Sequence, residues 1–216
     1  MHALTDQFQY YFYIITERVN YLIIKEMKIR AWLLFFVLFF TSQAVRSPEI
    51  DFQTKFARIR RVLNYLERQH YEMEFFRFIT DLGRSESLNN WFCINRIGCF
   101  GEWQFAEATL HCLGFRHITL QKFRQDPWIF PREMQQKALE SLIRVNLALL
   151  RDYEHFIGDT INGTVVTKSG LIAAAHLGGA GSTKRFLRSG GFVNNKDALG
   201  TSIQDYLRKF RDYDLE

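Results

Sequence analysis

Apolar residues recur at the spacing of a helix, and this spacing limits the fold more than any other feature of the sequence. One such stretch runs from Asp51 to about Gln69, and a second ends near Gly83. The residues that set the spacing are Phe52, Phe56, Ile59, Val62, Leu63, Leu66, Phe75, Phe76, Ile79 and Leu82. Side chains three and four positions apart share one face of a helix, so the pattern predicts two amphipathic helices in succession.

Helical segments are also predicted along the rest of the chain. Phe105 to Leu113 is predicted to form a short helix that Gly114 ends, and Pro131 fits the first turn of a long helix, PREMQQKALESLIRVNLALLRDY. The segment SGLIAAAHLGGAG is predicted to be a helix of small residues that runs into glycines, after which Thr183 to Leu187 forms a shorter helix. We expect a functional site to form at the glycine-rich joins between helices.

A turn signal and a cap signal complete the predicted fold. Asn162-Gly163 lies between β-branched residues, which predicts a tight turn and a small hairpin. Thr201 or Ser202 is predicted to cap a last helix, SIQDYLRKF. Hydrophobic residues make up 47% of the 216 residues, which is enough to fill one core, and the length also favours one domain. The predicted fold class is therefore mainly α, with at most a small β-hairpin.

The sequence from Met27 onwards has the features of a secretory signal peptide. Two basic residues follow Met27, and Ala31 to Phe40 is an uncharged apolar run. Ser42 and Ala44 then form the small-x-small pattern of a cleavage site. The apolar run is too short for a membrane span, which needs about 20 residues.

We therefore expect residues 1–44 to be an upstream extension plus the signal peptide, with translation starting at Met27. Residues 45–216 would form the mature domain, secreted or periplasmic, with no stable membrane span after processing. The competing interpretation is that the N-terminal segment stays uncleaved and serves as a membrane anchor.

The charge and the cysteines exclude some partners. A net charge of +5 and an isoelectric point of about 9.2 suit nucleic acid, an anionic membrane or an anionic cell-wall polymer. The basic residues are scattered and form no run of the nucleic-acid type, so we expect no nucleic-acid partner. Cys93, Cys99 and Cys112 form no C-x-x-C pair and have no histidine at zinc spacing. We expect buried free thiols and no metal site.

The stretch SESLNNWFCINRIGCFGEWQF, from Ser85 to Phe105, mixes polar and flexible residues with aromatic ones. This mixture suits either a solvated loop over a core or one wall of a carbohydrate cleft. Glu86 would lie at the end of an apolar helix, partly removed from water. A carboxyl that stays protonated near neutral pH can donate a proton to the leaving oxygen of a glycosidic bond. Glu86 is thus a candidate acid, and a solvated surface charge is the ordinary alternative for a single glutamate.

Four motifs occur in an order that resembles the lytic transglycosylase and goose-type lysozyme superfamily. That family has a Glu-Ser pair, then G-x-x-G-x-x-Q, then a threonine five residues after the glutamine, then an A-Y-N-A-G-P-G helix turn. The matching residues here are Glu86, Ser87, Gly98, Gly101, Gln104, Thr109, Ala175, Gly179 and Gly181. The resemblance covers Phe76 to Leu187 and implies a lysozyme-like catalytic domain.

The resemblance implies a peptidoglycan lytic transglycosylase, which cleaves the β-1,4 bond between N-acetylmuramic acid and N-acetylglucosamine in glycan strands. Glu86 would be the single acid/base, and no metal or organic cofactor would be needed. The candidate substrate-binding residues are Ser87, Asn95, Gln104 and His176. Of these, the two amides would bind N-acetyl groups. The candidate backbone supports are Gly98, Gly101, Gly179 and Gly181.

Two residues depart from the family pattern. The Tyr-Asn pair of the last motif falls on His176 and Leu177. His176 could replace the tyrosine as a hydrogen-bond partner of Glu86, or it could be an ordinary core histidine. Leu177 removes a polar side chain from its position. A hydrolytic lysozyme of the same fold and a glycan-binding module without turnover are therefore the alternative functions.

Other residues near the candidate acid also have two interpretations. Trp91 and Trp103 could stack on sugar rings or could pack in the core. Glu102 or Glu107 could be a second carboxylate that activates water, as an inverting hydrolase needs. A solvated helix face is the better interpretation of Glu107.

Overall fold

The structure, a computed structural model, describes residues 52–215 and is mainly helical, as the sequence predicts. The predictions made for residues 1–51, including the signal peptide and the start at Met27, lie outside the described residues. The helices are α1 (Phe52–Ser87), α2 (Glu107–Cys112), α3 (Leu120–Gln125), α4 (Arg132–Leu150), α5 (Lys168–Arg188) and α6 (Ile203–Lys209). Two 3-10 segments cover Pro127–Ile129 and Arg151–Phe156, and the strands are β1 (Thr160–Ile161) and β2 (Thr164–Val165).

The chain divides into two compact units at Arg60, and all the contacts reported below lie within the second unit. None of the helices in the described range is long and apolar enough to cross a membrane.

The predicted hairpin is confirmed. β1 and β2 pair antiparallel, with Thr160 opposite Val165 and Ile161 opposite Thr164. Asn162 and Gly163 form the two-residue turn with φ of 48° and 73°. Positive φ at both central positions is the geometry that matches the twist of the two strands, and it explains why Asn-Gly occurs here.

α1 is one helix of 36 residues, so the prediction of two successive helices was wrong. The set of apolar residues that predicts these helices has a gap between Leu66 and Phe75, but this stretch contains neither glycine nor proline. Polar side chains do not interrupt the backbone hydrogen bonds of a helix, and the usual interrupters are absent. The helix therefore continues to Ser87, which brings Glu86 into its last turn.

The core forms where α5 packs between α4 and α6. The first half of α5 is buried from Ser169 to Ala175, and its small residues let the neighbouring helices come close. A Cβ on Gly170 would lie 2.9 Å from the backbone oxygen of Leu207 on α6, which is closer than side chains tolerate. Large aromatic side chains fill the remaining space, namely Phe78, Phe100, Trp103, Phe105, Phe123, Phe130, Phe186 and Phe210.

Two local signals that the sequence carries determine the shape of the last two helices. α5 is interrupted at Gly179, whose φ of 74° and ψ of 158° are not helical. The predicted cap of α6 is Ser202. Its side chain accepts from the backbone N–H of Asp205, and the Asp205 carboxylate accepts from the backbone N–H of Ser202. This reciprocal pair is a capping box, which fixes where α6 begins.

Candidate active site

Glu86 and His176 lie next to each other, as one of the two sequence-based interpretations of His176 expects. Glu86 is in the last turn of α1, and His176 is three residues before the interruption of α5 at Gly179. The imidazole Nε2 is 3.8 Å from the carboxylate Oε1, and the two side chains are 7% and 15% exposed. A carboxyl that is largely removed from water, yet still reached by it, is a suitable position for an acid that meets a substrate.

A third residue, Tyr206 on α6, completes this group and was not predicted from the sequence. Its hydroxyl donates a hydrogen bond of 2.6 Å to Oε1 of Glu86. Burial raises the pKa of the Tyr206 phenol, and the charge of Glu86 and this hydrogen bond raise it further. The phenol therefore keeps its hydrogen and acts as a donor to the carboxyl at any pH at which the protein would work.

The His176 ring is held on its other side by the backbone. Nε2 lies 3.0 Å from the carbonyl oxygen of Trp103. A carbonyl oxygen only accepts, so Nε2 carries the ring hydrogen and donates it to Trp103. Nδ1 is buried and has no hydrogen-bond partner. His176 thus joins α5 to the glycine-rich loop and places its ring beside Glu86.

The glycines predicted as backbone supports differ in what they do. Gly98, Gly101 and Gly179 have φ of 85°, 85° and 74°, a region that favours glycine. A Cβ on Gly101 would also lie 2.6 Å from the side-chain oxygen of Gln135. Gly181 has neither a positive φ nor a close neighbour, since a Cβ there would come no nearer than 3.9 Å to another atom. The structure therefore gives no reason for glycine at position 181.

The hydroxyl of Ser87, a predicted substrate-binding group, is used within the protein. It donates to the carbonyl oxygen of Glu102 at 2.8 Å and accepts from the backbone N–H of Asn90 at 3.0 Å. These bonds join the end of α1 to the loop that follows it. Ser87 therefore has a structural role beside Glu86, because its hydroxyl holds the loop against the end of α1.

Asn95 and Gln104 also use their amides to shape the loop. Oδ1 of Asn95 accepts from the backbone N–H groups of Ile97 and Cys99 at 3.0 and 2.9 Å. Nε2 of Gln104 donates to the carbonyl oxygen of Gly101 at 2.7 Å, while its Oε1 is buried without a partner. Gln104 has a φ of 49°, so its backbone is held in a conformation that non-glycine residues rarely adopt.

Neither glutamate considered as a second carboxylate lies beside Glu86. Glu102 is completely buried, and Arg132 binds it through two hydrogen bonds of 2.6 and 2.9 Å. The hydrogen bond to Glu102 raises the pKa of the Arg132 guanidinium. Oε2 of Glu107 accepts from the backbone N–H of Leu120 at 2.8 Å. In residues 52–215, neither of these carboxylates contacts Glu86, so the group around Glu86 has one carboxyl.

The two tryptophans of the loop have different environments. Trp103 is 1% exposed, and its indole N–H donates to the carbonyl oxygen of Ile79, so it belongs to the core. Trp91 packs against Phe92 and Trp128, with ring centroids 3.6 and 4.8 Å away. Trp128 is 67% exposed and Phe92 is 43% exposed. Trp91 and Phe92, which follow α1 in the chain, therefore form an aromatic cluster with Trp128.

Acidic, histidine and cysteine side chains do not come together in threes anywhere in the described range in a way that could hold a metal ion. The three cysteines are free thiols: Cys93 and Cys99 are partly buried, whereas Cys112 is exposed, contrary to the expectation that all three would be buried. Burial raises the pKa of Cys99, the side-chain hydrogen bond with Asn95 lowers it, and the nearby charge of Glu86 raises it.

The chain matches no protein-family model, no curated protein and no solved structure. Evidence on function therefore comes from the chemistry of the residues themselves. That chemistry is a single carboxyl with a tyrosine donor on one oxygen and an imidazole beside it, at the end of a long helix.

Proposed function

We propose that the protein is a lysozyme-like glycosidase of the lytic transglycosylase type, which cleaves the β-1,4 bond between N-acetylmuramic acid and N-acetylglucosamine in peptidoglycan. The observation that carries this proposal is the environment of Glu86. Its carboxyl is mostly shielded from water, Tyr206 holds Oε1 at 2.6 Å, and His176 approaches from a helix that is interrupted at Gly179. The order of motifs that resembles the superfamily supports the same conclusion.

The proposed reaction uses Glu86 twice. The protonated carboxyl gives its hydrogen to the bridging oxygen while the bond between that oxygen and C1 of the muramoyl residue breaks. The resulting carboxylate then removes the hydrogen of the muramoyl 6-hydroxyl, whose oxygen bonds to C1 and closes a 1,6-anhydro ring. Glu86 ends in its starting form, so one carboxyl is sufficient.

Within this proposal, Tyr206 and His176 set the position of the acid. Tyr206 keeps Oε1 occupied as an acceptor, which leaves Oε2 to face a substrate. His176 is fixed by Trp103 and fills the space beside the carboxyl, so it limits access of water to that side. The substrate is the glycan strand, and the location would be the periplasm or the medium outside the cell.

The experiment that tests the function is digestion of purified peptidoglycan followed by mass spectrometry of the fragments. We expect anhydro-muramoyl ends from the wild type. The Glu86→Gln variant keeps the shape but has no proton to give, so turnover should fall by about 10² to 10⁴-fold, the usual contribution of general acid–base catalysis. Glu154→Gln, an exposed glutamate on the 3-10 segment after α4, is the matched control and should stay at the wild-type rate.

The same digest distinguishes the alternatives. Reducing ends would indicate a hydrolytic lysozyme, in which water reaches C1 instead of the 6-hydroxyl. Intact glycan that nevertheless binds the protein would indicate a binding module, a function favoured by the exposed rings of Phe92 and Trp128, which pack with the half-buried Trp91. Wild-type cleavage by Glu86→Gln would show that Glu86 is not the acid.

A further inference from the structure

A chain of three hydrogen bonds links an exposed lysine to the candidate acid. Nζ of Lys209 lies 2.6 Å from Oγ of Ser85, and that oxygen lies 3.3 Å from the hydroxyl of Tyr206. The Tyr206 hydroxyl in turn lies 2.6 Å from Oε1 of Glu86. Lys209 and Tyr206 are one turn apart on α6, while Ser85 and Glu86 are neighbours in the last turn of α1.

The two ends of the chain fix the direction of every hydrogen bond in it. A lysine ammonium has donors only, so Ser85 must accept from Lys209. Ser85 then has its own hydrogen left for the oxygen of Tyr206, and Tyr206 gives its hydrogen to Glu86. A carboxylate only accepts, so the last bond runs in the same direction as the first. Hydrogen bonds aligned in this way polarise one another and strengthen the final donor.

We propose that Lys209 is a positioning residue for Glu86, acting through Ser85 and Tyr206 to keep Oε1 an acceptor and to place the acid proton on Oε2. Oε2 makes no hydrogen bond with any of the described residues, so a proton on it points away from the chain of donors and is available for transfer. The catalytic part of this inference rests on the proposed function, whereas the orientation of the hydrogen bonds does not.

Other titratable groups face the same atoms, and their effects must be separated from that of Lys209. His176 on α5 lies 3.8 Å from Oε1 but gives its ring hydrogen to Trp103. Cys99 lies in the loop. Burial and the charge of Glu86 raise the pKa of its thiol, so the thiol keeps its proton. Asp197 acts on Tyr206 and raises the pKa of the phenol slightly. Lys209 differs from these groups because it brings a positive charge into the chain through a hydrogen bond.

The first test is independent of activity and uses proton NMR of the full chain. A buried phenol with a 2.6 Å bond to a carboxylate should give a resolved downfield hydroxyl signal, identified by its loss in Tyr206→Phe. We expect this signal to move upfield in Lys209→Met and to return in Lys209→Arg, because a guanidinium also donates to Ser85. Arg208→Met is the control, since it removes an equal charge from the neighbouring exposed position, where the charge acts on Asp205.

The second test is the pH profile of glycan cleavage by the same variants. Loss of the positive charge makes the carboxylate form of Glu86 less favourable, so the acid form persists to higher pH. The alkaline limb of the profile should therefore move up by about half a pH unit in Lys209→Met, as expected for a charge several ångströms away in a medium of intermediate dielectric. Lys209→Arg should restore the wild-type limb, and Arg208→Met should keep it.

Each test has its own outcome that would contradict the inference, and these outcomes can be told apart from a failure of the proposed function. A Tyr206 hydroxyl signal that is the same in the wild type and Lys209→Met would overturn the inference, whatever the activity. A signal that moves as expected, in a protein that leaves peptidoglycan intact, would support the oriented chain of hydrogen bonds and refute the proposed function. A cleavage profile that is unchanged in Lys209→Met would overturn the positioning role.

Discussion

Replacing Gly101 by alanine should destabilise the protein, in part because the new Cβ would collide with the side chain of Gln135. Gly101 has a φ of 85°, and a Cβ there would lie 2.6 Å from Oε1 and 3.0 Å from Cδ of Gln135. Gln135 is completely buried, and its side chain is held at three points. It accepts from the backbone N–H of Glu102 at 2.6 Å and donates to the carbonyl oxygens of Trp91 and Phe130 at 2.9 and 2.7 Å. It cannot move aside without giving up these bonds.

The expected decrease in the free energy of unfolding has two parts. An alanine in the left-handed region costs about 1–2 kcal/mol. Displacement of Gln135 leaves the buried N–H of Glu102 without an acceptor, which costs about 1–3 kcal/mol more. For a chain of this length, each kcal/mol lowers the melting temperature by about 2–4 °C, so Gly101→Ala should lower it by roughly 10 °C.

Gly114→Ala is the matched control, because it has a similar φ of 93° but no atom within 4 Å of the new Cβ. It should show only the first part of the loss, about 1–2 kcal/mol, and a drop in melting temperature of roughly 4 °C. Thermal unfolding followed by far-ultraviolet circular dichroism measures both variants. Equal drops for the two alanines would show that Gln135 does not obstruct a side chain at position 101.

Two further predictions concern pH and thiol chemistry. The Ser202 side-chain hydrogen bond lowers the pKa of Asp205, so its contribution to stability is present above the pKa of an unfolded aspartate and is lost as the pH falls through the lower folded value. In thermal unfolding, Asp205→Asn should therefore be less stable than the wild type at pH 7, by at most about 1 kcal/mol, because an amide oxygen accepts from Ser202 more weakly than a carboxylate does. The difference should shrink as the pH falls below the range in which an unfolded aspartate titrates, and a constant difference would argue against the role of Asp205 in the capping box. At neutral pH, iodoacetamide should label the exposed Cys112 before Cys99, because burial raises the pKa of the Cys99 thiol. Glu86→Gln should speed the labelling of Cys99, because it removes a negative charge that also raises this pKa. Mass spectrometry of peptides measures the order, and faster labelling of Cys99 than of Cys112 in the wild type would contradict it.

The parts of the fold that the sequence predicts are those set by local backbone chemistry. Asn162-Gly163 specifies its turn because both residues tolerate positive φ. Ser202 specifies the start of α6 because its side chain reaches the first free N–H groups of that helix. The length of α1 was misjudged for the opposite reason. The apolar spacing has a gap in the middle of α1, but a helix ends only where the backbone is interrupted or capped.

Only some residues of the candidate site could be predicted from the sequence. A resemblance between motifs suggested Glu86 and His176, and the structure does bring them to 3.8 Å. Tyr206 and Lys209 could not be found by that reasoning, because their partners are 120 and 124 positions away and no nearby residue marks them. The resemblance placed Ser87 at the substrate, because Ser87 follows the acid in the family's Glu-Ser pair. Sequence alone does not show that a backbone carbonyl already uses its hydroxyl.

The distance along the chain between Glu86 and α6 has a consequence for biosynthesis. Ribosomes make proteins from the N-terminus, and segments begin to fold as they emerge. A growing chain carries Glu86 early, but the donor to its carboxyl lies 120 positions later, and the lysine that donates to Ser85 comes later still. Chains released before Tyr206 therefore lack both groups. The hydrogen-bonded environment of Glu86 is therefore complete only in molecules whose synthesis has passed Lys209.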